Sequence, residues 1–112
     1  MSRADRDRLQ DILGAIGAVM RYYPKLSGDD REMARDAIVR QLEVIGEAAN
    51  RLDPDTKATA PEIEWHKIAG FRNIAIHEYF RVNQSIVEGI VRNYLPPLRE
   101  AVERIRDSKT DV

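Results

Sequence analysis

A chain of 112 residues, 43% hydrophobic and 33% charged, has room for one folded domain and no compositional reason to be disordered. The absence of cysteine removes disulfides, thiolate metal sites and cysteine nucleophiles together. A net charge of −1 and a pI near 6.1 argue against an extended, high-affinity duplex binder, which needs surplus cations to neutralise phosphates, but they leave room for one local basic site.

The N-terminal stretch MSRADRDRLQ is polar and charged, so no secretory signal is expected. No apolar run approaches the roughly 20 residues that cross a bilayer, so the reading is a soluble, cytoplasmic protein without membrane contacts. Residues 5–22 then carry Leu9, Ile12, Leu13, Ile16, Val19 and Met20 at helical spacing. Gly14 and Gly17 in this stretch read as close helix packing, because no strand precedes them to make a phosphate loop. Pro24, Ser27 and Gly28 break the pattern, and Asp29 or Asp30 can cap a second helix. That helix runs to about Arg51 with Ala34, Ile38, Leu42, Ile45, Ala49 and Leu52 on one face. Asp36 with Arg40 and Glu47 with Arg51 are acid-before-base pairs four residues apart, the favourable order on an exposed face.

Residues 53–61 read as a loop, and Pro61 stands near the start of a third helix from Glu62 to about Tyr79. Ile68, Phe71 and Ala75 form its core face. After a polar break at 81–84, with Asn83 as N-cap, a fourth helix presents Ile86, Val87, Ile90, Val91, Tyr94 and Leu95. Pro96 and Pro97 force a kink or restart, and Leu98, Val102 and Ile105 continue the apolar face to about Arg106. No strand-like alternation and no repeat is present. The expected fold is all-α, an up-and-down antiparallel bundle of four to five helices in one domain over 1–112, with its core at about 5–107.

Most chemistries lack their residues. There is no P-loop, dinucleotide fingerprint, EF-hand or HExxH, and two histidines without cysteine do not make a zinc site. No metal and no cofactor is expected. The serines sit at turns and helix ends, where capping explains them. The third helix, PEIEWHKIAGFRNIAIHEYF, is different: it holds both histidines and the only tryptophan. At about 100° per residue, His66, Gly70, Asn73 and His77 fall in one narrow sector, with a glycine that admits another backbone or a ligand. Arg72 lies about 100° round from Asn73 and nearly aligns with Tyr79. On spacing alone, surface charge and core aromatics explain these residues as well as catalysis does.

Arg72 through Tyr79 reads R-N-x3-H-x-Y, and this segment resembles the signature of HepT-like HEPN ribonucleases, R-x4-H-x-Y. Ile45-Gly46-Glu47-Ala48-Ala49, Pro61-Glu62-Ile63 with Trp65, and Leu95-Pro96-Pro97-Leu98 look like the same family in the same order, so the resemblance covers about 5–107. One departure is visible. Where the family often has a glycine and an acid after the motif, this chain has Arg81 and Asn83.

The resemblance implies a metal-independent endoribonuclease acting on RNA such as tRNA or mRNA, with DNA not expected as a substrate. Arg72 and His77 are the implied catalytic residues, supported by Asn73 and Tyr79. It also implies a homodimer that brings two motifs together, to which His66 and Gly70 could contribute. The implied setting is a type VII toxin–antitoxin pair, in which an MntA-like nucleotidyltransferase antitoxin transfers AMP onto Tyr79. A non-catalytic HEPN adaptor that binds nucleotide or a minimal nucleotidyltransferase is the alternative, and a purely structural helical dimer is a third reading.

Overall fold

The computed structural model describes residues 1–76 and 83–108, with only the backbone for Ala75 and Ile76. Its elements are α1 (Arg3–Tyr22), a 3-10 turn (Tyr23–Ser27), α2 (Arg31–Arg51), α3 (Pro54–Ala58), α4 (Trp65–Gly70), a 3-10 segment (Phe71–Ile76), α5 (Gln84–Asn93) and α6 (Leu95–Ser108). Among the described residues there is no strand, so the chain is an all-α bundle, as the periodicity predicts. No helix among them is long and apolar enough to cross a membrane.

The apolar stripes meet in one core. Leu9, Ile12, Ile16 and Val19 of α1 face Ile38, Leu42, Ile45 and Ala49 of α2, all of them buried. Val87, Val91, Leu95, Leu98 and Val102 close that core from α5 and α6. α2 is the central element, contacted by α1, α4, the 3-10 segment and α5. Phe71 meets Tyr94 edge to face, with ring centroids 5.8 Å apart, which locks the 3-10 segment to the end of α5.

Several local expectations need correction. The stretch after Leu52 is not all loop, because Pro54 starts a short helix, α3. A buried carboxylate from far away in the chain holds that helix: Asp5, 2% exposed, accepts from the Asp53 N–H at 3.3 Å and from the Thr56 hydroxyl. Asp5 thus serves the free donors of α3's first turn, a role that its place in a charged N-terminus did not suggest. Asp5→Ala is expected to cost about 2 kcal/mol, since both donors lose their acceptor in a buried place. Urea unfolding monitored by circular dichroism measures it, and a midpoint equal to that of the parent protein would contradict this role.

The fourth helix is interrupted and restarts beside the prolines, as expected. It breaks at Tyr94, and Pro96 and Pro97 sit in the first turn of α6, where their missing N–H groups cost nothing. Asn83 occupies the N-cap position of α5, but its side chain accepts from the Ser85 hydroxyl at 2.8 Å instead of from a backbone N–H. Asp30 likewise holds the cap position of α2 without a side-chain cap bond. Nor is close packing the role of the α1 glycines. Among the described residues, a Cβ at Gly14 meets nothing within 4 Å, and one at Gly17 meets only the end of Arg21, at 3.9 Å.

Candidate active-site region

The motif helix is wound differently from the sequence expectation. The α-helix starts at Trp65, three residues later than expected, and ends at Gly70, and Phe71–Ile76 continues as 3-10 helix. A 3-10 helix turns about 120° per residue, so an angular argument at 100° per residue does not hold beyond Gly70. His77 and Tyr79 lie outside the described residues. The rest of the proposed site is described.

A close approach between two backbones seats this segment. Gly46, in the middle of α2, lies directly under the start of the 3-10 helix. A Cβ built there meets the Arg72 nitrogen at 2.3 Å, the Phe71 carbonyl carbon at 2.9 Å and the Ala69 oxygen at 3.0 Å. No side chain fits between the two elements, so glycine is what lets Arg72 sit on α2. Gly70, the residue expected to permit such an approach, has nothing among the described residues within 4 Å of a Cβ, and it is exposed. An isolated glycine inside a helix costs about 1 kcal/mol relative to alanine, which was the available signal that Gly46 has a packing purpose.

Arg72 is exposed and lines two grooves at once. The first, about 460 Å³, runs between α1 and α2 and mixes charges: Arg8, Arg40 and Arg51 stand with Asp11, Glu43 and Glu47. Arg51 and Glu47 close their ion pair at 2.9 Å, as expected. Arg40 does not pair with Asp36 and lines this groove instead. The second groove, about 370 Å³, is lined by Asn50, Lys57, Trp65, His66, Arg72 and Asn73 together with Ala69 and Gly70. His66, Gly70 and Asn73 therefore share a surface, as the helical wheel predicts. Arg72, which the wheel set about 100° round from Asn73, joins them there.

Trp65 gives the second groove a fixed wall. Its indole N–H donates to the carbonyls of Lys57 and Ala60, both at 3.1 Å, and so ties the end of α3 to the start of α4. A third, largely apolar groove of about 440 Å³ adjoins on the other side, where Phe71, Ile74, Ile86, Ile90 and Tyr94 come together. Lys67 at its edge is paired with Glu64 at 3.0 Å, and that hydrogen bond, with the charge behind it, raises the lysine's pKa above its ordinary value.

Comparison with known proteins adds a family. The family described as ribonuclease HepT-like matches residues 12–105. A Thermococcus cleftensis protein named "Probable ribonuclease HepT" is 32% identical over 109 residues, covering 95% of this chain and 99% of its own. A Methanocaldococcus jannaschii protein that carries an RNase name is 32% identical over 107 residues, covering 92% and 98%. No significant match to a solved structure was found.

Proposed function

The chain belongs to the HepT-like ribonuclease family, and from that premise we propose that it is a metal-independent endoribonuclease, one catalytic domain per chain, acting on RNA in the cytoplasm. What carries the reading is Arg72, which is exposed, has no hydrogen-bond or ion-pair partner among the described residues, and stands where two grooves meet. A guanidinium so placed presents its planar set of donors to a phosphate.

The chemistry needs little else, because RNA brings its own nucleophile. A base takes the proton of the 2′-hydroxyl, and that oxygen bonds to phosphorus. The bond from phosphorus to the 5′-oxygen breaks, and an acid returns a proton to the leaving oxygen. The products are a 2′,3′-cyclic phosphate and a 5′-hydroxyl. An imidazole suits either proton transfer near neutral pH, which is the role given to His77. Arg72 stabilises the charge that builds on the phosphate, and Asn73 beside it holds a phosphate oxygen or orients the imidazole.

One motif supplies one such histidine, so the active form is a homodimer with two motifs at its interface. The apolar groove of Phe71, Ile74, Ile86, Ile90 and Tyr94, on the third and fourth helical stretches of the sequence, supports that reading. The partner proposed for regulation is an MntA-like nucleotidyltransferase. It moves AMP from ATP onto the Tyr79 phenol oxygen with release of pyrophosphate, and it puts an anion where RNA must bind. Chain and antitoxin then form a type VII toxin–antitoxin pair.

The test is cleavage of purified RNA with and without EDTA, with end-group analysis of the products. Equal rates and cyclic-phosphate ends are expected. Loss of activity in EDTA would overturn the metal-independent mechanism, and a chain that cleaves no RNA and arrests no growth is the adaptor instead. In the same assays Tyr79→Phe should still cleave RNA within about tenfold of the parent protein, since it loses one hydroxyl contact. Intact mass after co-expression with the nucleotidyltransferase should show no adenylyl group on this variant. An adenylylated Tyr79→Phe protein would move the modification elsewhere.

A further inference from the structure

A strand held at Arg72 can leave by either of the two grooves that this arginine lines, and the two differ in charge. The groove between α1 and α2 carries three carboxylates, from Asp11, Glu43 and Glu47. The groove beside α3 and α4 has no carboxylate among its described lining residues. It holds Lys57, His66 and Arg72, and none of these side chains has a hydrogen-bond or ion-pair partner among the described residues. In a chain of net charge −1, this groove sets Lys57 and Arg72 together with no acid among its described lining residues. It is also preformed, because the indole of Trp65 fixes the backbone of Lys57 through its carbonyl at 3.1 Å.

We propose that this groove is a subsite for the nucleotide next to the scissile phosphate of a single-stranded RNA. Lys57 and His66 take that nucleotide's phosphate, Asn50 and Asn73 offer amide hydrogen bonds to its sugar or base, and Trp65 supplies an apolar wall. Its volume of about 370 Å³ suits one nucleotide rather than a helical segment. The track therefore runs from Arg72 toward α3, away from the acidic residues between α1 and α2. This assignment rests on the ribonuclease reading for the position of the scissile phosphate, but binding tests it without cleavage.

The probe is a short fluorescent single-stranded oligonucleotide with 2′-O-methyl sugars, which cannot be cleaved, followed by anisotropy over a range of salt concentrations. Lys57→Gln combined with His66→Gln is expected to weaken binding about tenfold, as loss of a charge-assisted contact does. The slope of log affinity against log salt should become shallower by about 0.7, the value for one phosphate on a single strand. Arg40→Gln, in the other groove, should change affinity less than about twofold. With cleavable RNA, the double variant should raise KM far more than it lowers kcat. Circular dichroism melting of each variant separates lost contacts from lost fold. If Arg40→Gln weakens binding as much as the double variant, the track runs the other way and the proposal is wrong. A double variant that binds and cleaves like the parent protein removes the subsite while leaving the ribonuclease reading standing. A parent protein that binds through Lys57 and His66 yet cleaves nothing leaves the subsite and removes the catalysis. One that neither binds nor cleaves removes both.

Discussion

His77→Ala is expected to slow RNA cleavage by about 10²- to 10⁴-fold, the range for losing a general acid or base. Arg72→Ala should cost about 10²- to 10³-fold in kcat, the range for removing one donor aimed at a charge that develops in the transition state. The arginine prediction depends on its surroundings. Its guanidinium is exposed and has no partner among the described residues, so its removal leaves no buried carboxylate unpaired. Stability should stay within about 0.5 kcal/mol of the parent protein, as for surface substitutions away from structural contacts. Arg72→Lys keeps the charge but loses the fork, and should recover only part of the rate. Single-turnover cleavage at saturating enzyme measures all three variants. If Arg72→Ala cleaves at the parental rate, this residue is not what stabilises the phosphate.

Gly46→Ala should do the reverse, damaging fold and activity together from a position that touches no substrate. Its new Cβ would lie 2.3 Å from the Arg72 nitrogen, and ordinary contact begins at 3.4 Å, so the 3-10 segment must move by about 1 Å. The obstacle is backbone and cannot rotate away. Overpacking of this kind costs about 1–3 kcal/mol or more, against a gain of about 1 kcal/mol for alanine over glycine in a helix. A net loss of up to about 2 kcal/mol lowers the melting temperature by up to about 10 °C. A 1 Å displacement of a catalytic group can itself cost about 10²-fold in rate, so activity should fall even at temperatures where the variant is fully folded. Gly14→Ala is the matched control. No described residue lies within 4 Å of its Cβ, and it should stabilise the chain slightly. If Gly46→Ala also melts at or above the parental temperature, the seat of the 3-10 segment on α2 is not as tight as described.

These residues also mark how far the sequence can be read. Most core positions of α1 and α2 follow from a period of 3.6, and Leu9, Ile12, Ile38 and Leu42 are all wholly buried. Leu13 and Met20 are only partly buried, however, and the apolar face read for α2 leaves out Val39 and Ala48, both buried. Local rules failed where a distant group decides the local structure. Residues 54–58 are helical because Asp5, 48 or more positions earlier, serves their first turn, and no local window contains it. The change of winding at Phe71 belongs with the contact at Gly46, and a helical wheel assumes that winding in advance. For the site, helical spacing and then the motif marked Arg72 and Asn73. Lys57 sat in a stretch read as loop, and only the bond from Trp65 to its carbonyl reveals that it shares a groove with them. Gly46 was visible as part of a family-like block, but its purpose lies in a contact between two backbones.

The position of α2 at the centre of the bundle also sets an order of assembly. α1 and α2 are neighbours in the chain and pack on each other, so the first 51 residues can pair by local contacts, which form fastest. Residues 1–51 leave the ribosome before residues 71–76 do, and chains fold from the N-terminus as they emerge. Arg72 therefore arrives at a platform that already exists, and the segment that carries it is shaped by docking rather than by its own helical preference. A ribosome-bound chain stalled with residues 1–51 outside the exit tunnel and residues 71–76 still inside it should already show the α1–α2 pair as protease-resistant, while the groove around Arg72 waits for the residues that follow.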